Sequence, residues 1–219
     1  MRTTLGLMLA FVVFQDPGNV PPELIEKKVE QLVARLVSPN KAPPIRGQIP
    51  KYAPDYDKSA QTSVSKSFLE LQRLGRPALP YLVPHFGDDR YSLTFDTGAT
   101  YDNFSVGSLC IDILQGHLEP YGWCTAGPPE GDDCRSREQR PSYFWHHRLN
   151  EAVEAKKWLE SRKDKSMVEL QLEVALWVIE EEAKTPDEFH DEERKFMAGI
   201  VRKLKNSGKP LPPTVPWSK

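Results

Sequence analysis

The chain has 219 residues, with 29 Lys and Arg against 31 Asp and Glu, five histidines and three cysteines. A formal charge of −2 excludes a chain-wide attraction to nucleic acid or to an anionic membrane surface. Twenty prolines exclude a long coiled coil and any sheet with proline in its central strands. The length suits one domain with a sizeable core.

Arg2 is the only charge before Asp16, and an apolar run from Leu5 to Phe14 lies between them. A short basic start followed by about ten apolar residues has the pattern of a secretory signal peptide. The run is too short to cross a bilayer, which takes about 20 residues. Residues 1–20 are therefore expected to be a signal peptide or an uncleaved N-terminal anchor, and export to the periplasm or beyond follows. A single α-helical domain is expected over 21–206 and a proline-rich tail over 207–219. No later stretch reaches spanning length.

The first helix of the domain opens at Pro21-Pro22 and carries Ile25, Val29, Leu32 and Leu36 at helical spacing, with Pro39 ending it. Residues 39–54 hold five prolines and form an extended or irregular loop, in which Ile45 and Ile49, with Tyr52 and Tyr56, are expected to pack onto the domain. A second helix from about Ser59 carries Val64, Phe68, Leu71 and Leu74, with Gly75 as its C-cap. Pro77 starts a short helix that Pro84 kinks or shortens. Tyr91–Phe95 alternates and is either a short strand or ordered loop. Ser105 caps a helix carrying Val106, Leu109, Cys110, Ile113 and Leu114.

Ser142 is read as the cap of a long helix whose buried stripe is Trp145, Leu149, Ala152, Val153 and Leu159. Ser166 and Glu169 form a capping box. The helix behind it is apolar on more than one face and is expected to be the central, most buried one. Thr185 to Glu188 is a second capping box, opening a helix with Phe189, Phe196, Ile200 and Leu204. Residues 207–219 hold four prolines and little core material, so they are expected to be loosely attached. The fold class is all-α: six or seven helices with at most a minor strand pair.

The segment Leu71-Gln72-Arg73-Leu74-Gly75-Arg76-Pro77-Ala78-Leu79-Pro80-Tyr81-Leu82-Val83 resembles the corner of a HEAT-type repeat. There a leucine-glycine turn joins two antiparallel helices, the Gly taking the left-handed position and the Pro starting the next helix. The resemblance is clear over 60–90 and implies an irregular helical stack with a binding surface. It implies no reaction. Exported bacterial proteins of this general make-up are similar.

Chemistry is sparse. Leu93-Thr94-Phe95-Asp96-Thr97-Gly98-Ala99 resembles the active-site loop of aspartic peptidases, in which two aspartates share a proton and activate water. Asp96 is thus the one catalytic candidate, and a single copy requires a homodimer. The same tripeptide is ordinary turn chemistry. His146 and His147 are adjacent and, on a helix, point to different faces; His190 lacks a His-Glu-x-x-His partner. No nucleophile elbow, phosphate loop or dinucleotide fingerprint is present, so no metal site and no cofactor is expected. Loops between helices are left as the binding surface, with Tyr91, Tyr101 and Trp123 as candidates. The expectation is an exported, non-enzymatic binding or scaffold protein of the cell envelope. Its partner would be a protein or an envelope polymer, not nucleic acid; a hydrolase using Asp96 is the alternative.

Cys124 and Cys134 flank a Gly-, Pro- and Asp-rich loop and are expected to form a disulfide in an oxidising compartment, contributing about 2–3 kcal/mol. Cys110, in an apolar run, is read as a buried free thiol. Thiol counting tests both readings. Native, non-reduced protein should label no thiol and denatured protein one; two or more thiols labelled without reduction would contradict the bridge.

Overall fold

The computed structural model describes residues 21–46, 49–96, 101–120, 141–185 and 188–214. These residues are mostly helical. Six helices of nine residues or more carry the structure: α1 (Pro22–Ala34), α2 (Lys58–Leu74), α4 (Val106–Leu118), α6 (Ala152–Glu160), α7 (Met167–Glu182) and α8 (Glu188–Ser207). Two single turns, α3 (Leu79–Leu82) and α5 (Tyr143–His146), complete the helical set. Two antiparallel pairs join them: β1 (Ile45–Arg46) with β2 (Ile49–Pro50), and the hairpin β3 (Tyr91–Asp96) with β4 (Tyr101–Ser105). Tyr91–Phe95 is thus a strand, bulged between Tyr91 and Leu93.

α1 has proline at its start and presents Val29, Leu32 and Val33 to α2. It stops at Ala34, short of Pro39, and a tight turn then delivers Leu36 to the core. The proline-rich loop that follows is closed at its base. The Asn40 amide accepts from the Asp57 N–H and donates to its carbonyl, both at 2.8 Å. Asp57 in turn caps α2 through the Ser59 and Ala60 N–H groups. Ile49 and Tyr52 do not pack inward as expected: they are 67% and 41% exposed. The β1–β2 pair satisfies this segment's backbone locally, and Tyr52 packs on Tyr56 rather than on the core.

The hairpin docks on α2 and on the turn after α1 through polar contacts. Ser92 Oγ donates to the Leu36 carbonyl at 2.5 Å, and Gln61 bonds both the Ser92 carbonyl and the Thr94 N–H. Phe95 and Phe104 stack across the strands at 4.0 Å. Ser105 ends β4 and forms a reciprocal capping box with Ser108, which starts α4.

α4, not α7, is the central helix. Ten of its 13 residues are buried, against seven of 16 in α7. α7 is apolar on several sides, but Leu176 is 44% exposed. α8 covers another side, in a small separate core of Ala175, Val178, Met197 and Val201. The expected long helix after Ser142 is broken. α5 ends at His146, and Arg148 takes a positive φ of 54° before α6 begins. A bidentate Arg148–Glu151 pair, both contacts at 2.7 Å, spans the break. Trp145 and Val153 consequently leave the buried stripe and are 45% and 64% exposed, while Leu149 stays fully buried.

Of the tail expected to be loosely attached, the part through Thr214 is docked; residues 215–219 lie outside the described residues. The Gln171 side chain bonds both the N–H and the carbonyl of Leu211, at 2.8 and 3.1 Å. Gln72 Nε2 donates to the Thr214 carbonyl at 2.9 Å, and the Thr214 N–H reaches the Gly116 carbonyl. Gly116 permits this crossing, because a Cβ there would stand 2.8 Å from the Thr214 oxygen. His117 completes the junction: its Nε2 lies 3.0 Å from the Gln72 carbonyl, and its own carbonyl accepts from Gln171. A carbonyl only accepts, so Nε2 carries the hydrogen of this bond. Burial pushes its pKa down to about 4, against the opposing pull of the Gln72 carbonyl.

Two outcomes follow. Gly116→Ala should lift the C-terminal segment and destabilise by about 1–3 kcal/mol. Urea unfolding and faster amide exchange at Leu211 check it; unchanged exchange would contradict the docking. Between about pH 6.5 and 4 the unfolded chain binds a proton at His117 that the folded chain excludes. Stability should therefore fall as pH drops through that window and level off below it. The loss is about 3 kcal/mol in all. Burial raises the neighbouring Glu119 carboxyl and so gives the opposite slope. The difference between wild type and His117→Gln isolates the histidine; identical slopes would refute it.

Candidate functional site: an apolar groove with a cationic rim

α2 ends at Leu74, and Gly75 turns the chain with φ 66° and ψ −150°. This is a region open essentially to glycine alone, and not the left-handed helical conformation expected for the cap. The turn throws Arg76 toward α6 and begins a run containing three prolines. Pro77, Pro80 and Pro84 split it into a 3-10 turn (Arg76–Ala78), α3 and a second 3-10 turn (Val83–His85). Leu79 and Leu82 face the core, which leaves Pro80 and Pro84 along the opposite side, with the buried Val83 between the two.

α6 runs beside that side. Ala152, Val153, Lys156, Leu159, Glu160 and Lys163 recur at helical spacing and face the prolines across a groove of about 540 Å³. That lies within the roughly 300–1,000 Å³ range of small-molecule sites. Prolines, Val83, Val153 and the buried Leu159 give it an apolar floor and walls. Three cations stand on its rim, Arg76, Lys156 and Lys163, against one carboxylate, Glu160.

The cations are poorly matched. Glu160 pairs with Lys156 at the limit of contact, 4.0 Å. Lys163 and Arg76 make no ion pair among the described residues. Arg76 is half-buried, and burial lowers its pKa. One arm of its guanidinium, Nη2, donates to the Arg162 carbonyl at 3.2 Å beyond the end of α6. Its Nε is buried with no hydrogen-bond partner. A buried donor on a charged group without a partner is costly and uncommon in a folded chain.

The residues singled out in the sequence fall elsewhere. Tyr91 is turned to the hairpin's base: its hydroxyl meets Tyr56 and Thr94, both at 2.7 Å, and Thr94 bonds Asn103. Tyr101 starts β4, paired with Asp96 at the end of β3. The side chain of Asp96, together with Thr97 and Gly98, lies outside the described residues, as do Trp123, Cys124 and Cys134. Cys110 is a buried free thiol that burial pushes up to about 12, so it is inert at neutral pH.

His146 and His147 do not diverge as on a helix. α5 stops between them and their rings lie 5.0 Å apart, against Trp177 and Tyr143. That aromatic cluster continues into a closed polar chain. Trp158 Nε1 donates to the Tyr143 hydroxyl, which donates to Glu173. Burial pushes the Glu173 carboxyl up, but Arg162, Lys165 and Tyr143 outweigh it and bring it down to about 2. Tyr143, Trp158, Glu173, Arg162 and Lys165 satisfy one another, so the cluster joins α5, α6 and α7, while the two histidines contribute ring contacts. Among the described residues, no three His, Cys, Asp or Glu side chains gather at metal-binding distance.

Neither Arg76 nor Lys156 and Lys163 stand out in the sequence, where such charges read as solvated surface. The one available signal was the proline spacing: Pro80 and Pro84 on one side of a helical turn make an unusual apolar exterior. The chain matches no protein-family model, no curated protein and no solved structure.

Proposed function

We propose that this chain is an exported, non-enzymatic binding protein of the cell envelope, a HEAT-like helical stack that seats its ligand in the groove between α3 and α6. The carrying observation is the groove itself, with an apolar lining and a volume of about 540 Å³. The turn from α2 into α3 supports the stacked-helix reading, although Gly75 does not take the left-handed conformation of that corner, and the apolar run at 5–14 supports export. The ligand is placed here rather than at the hairpin because Tyr91 spends its hydroxyl on Tyr56 and Thr94.

The neutral fluorophore N-phenyl-1-naphthylamine tests the site. Val153 is largely exposed on the groove wall, so Val153→Asp should leave the melting temperature within about a degree while putting a charge into the apolar lining. Dye binding should fall at least about tenfold. Tyr101→Ala should leave it unchanged. Equal binding by wild type and Val153→Asp would move the site away from the groove.

A further inference from the structure

We infer that the groove between α3 and α6 takes a free long-chain carboxylate, its acyl chain along Pro80, Val83, Pro84, Val153 and Leu159 and its head between Arg76 and Lys163. This rests on the groove being the binding site and goes further by naming the ligand's chemistry. Three observations converge on it.

The first is the lining. An extended apolar floor rewards a hydrocarbon by about 0.8 kcal/mol for each methylene taken from water. The floor offers a neutral polar ligand few partners, because Pro80 and Pro84 have no backbone N–H. The second is the sign of the rim. Arg76, Lys156 and Lys163 face one carboxylate, Glu160, which is already engaged with Lys156. An anionic head is attracted there and a cationic head repelled.

The third is Arg76. Its guanidinium is half-buried, bound by one arm to the Arg162 carbonyl, with the Nε hydrogen unused. A carboxylate accepts two parallel N–H bonds from a guanidinium. Nε itself is closed to solvent, so a carboxylate in the groove would engage the terminal N–H groups and neutralise the half-buried charge. A planar head with two oxygens on a slender apolar chain fits this combination. The Lys163 ammonium, exposed on the rim, adds a second, more hydrated positive charge.

Calorimetric titration of the full chain with dodecanoate and with dodecanol, each below its aggregation concentration, tests the inference. Dodecanoate should bind one per chain and at least about tenfold tighter than dodecanol, and the gap should narrow with added salt. Arg76→Gln and Lys163→Gln should each reduce the gap, leaving dodecanol binding in place. Should Arg76→Gln fail to fold, Lys163→Gln decides, since Lys163 is exposed and makes no ion pair among the described residues. Equal affinity for the two probes in the wild type, or a gap untouched by both variants, overturns the carboxylate while the groove stands as a neutral apolar site. Binding of neither probe overturns the groove as well.

Discussion

The Gln72 carbonyl, near the end of α2, accepts two hydrogen bonds: one from His117 Nε2 of α4 and one from the Gly75 N–H. The Gln72 side chain meanwhile holds the Thr214 carbonyl. A single buried residue therefore fixes where α2 stops, how α4 lies against it and where the C-terminal segment crosses. Gln171 repeats the arrangement from α7, reaching His117 and both backbone groups of Leu211. Buried amides with their bonds complete are specific as well as stabilising, since any slip leaves several polar groups unpaired.

The groove follows from that junction. With α2 halted at Leu74, the chain has to turn at once, and Gly75 makes the turn with a backbone conformation closed to other residues. The turn aims Arg76 at the carbonyl of Arg162 beyond α6 and starts the proline run along α6. Proline shapes this wall twice. It breaks the helix into short turns with an apolar exterior, and it removes N–H groups that would otherwise need partners. The opposite wall depends on the break at Arg148, which frees Val153 from the core and turns it to the groove. The groove is thus a by-product of two helix interruptions.

Much of the helical framework was legible in the sequence, because caps and periodicity are local. Ser105, Ser166 and Gly75 mark real ends, and Val29, Leu32, Phe68, Leu71 and Leu109 line the core. What escaped was non-local. The break at Arg148 carries no Gly or Pro, and Trp145, Leu149 and Val153 keep a helical spacing across it. Only the fold reveals that Arg148 sits at positive φ. The burial of α4 over α7 depends on what covers each helix, and periodicity says nothing of that. The docking of Leu211 uses backbone groups and two glutamines far away in sequence, so a proline-rich segment looked unattached. The groove joins residues 76–84 to 152–163, and each half alone looks like an ordinary surface.

The most direct measurement of the central claim is a set of intermolecular NOEs between carbon-13-labelled dodecanoate and the full-length protein. The account predicts acyl-chain contacts to the methyl groups of Val83, Val153 and Leu159, with the carboxylate end nearest Arg76. Contacts confined to Tyr52, Tyr91 or Tyr101 at the hairpin, or an acyl chain reversed with its head away from Arg76, would contradict it.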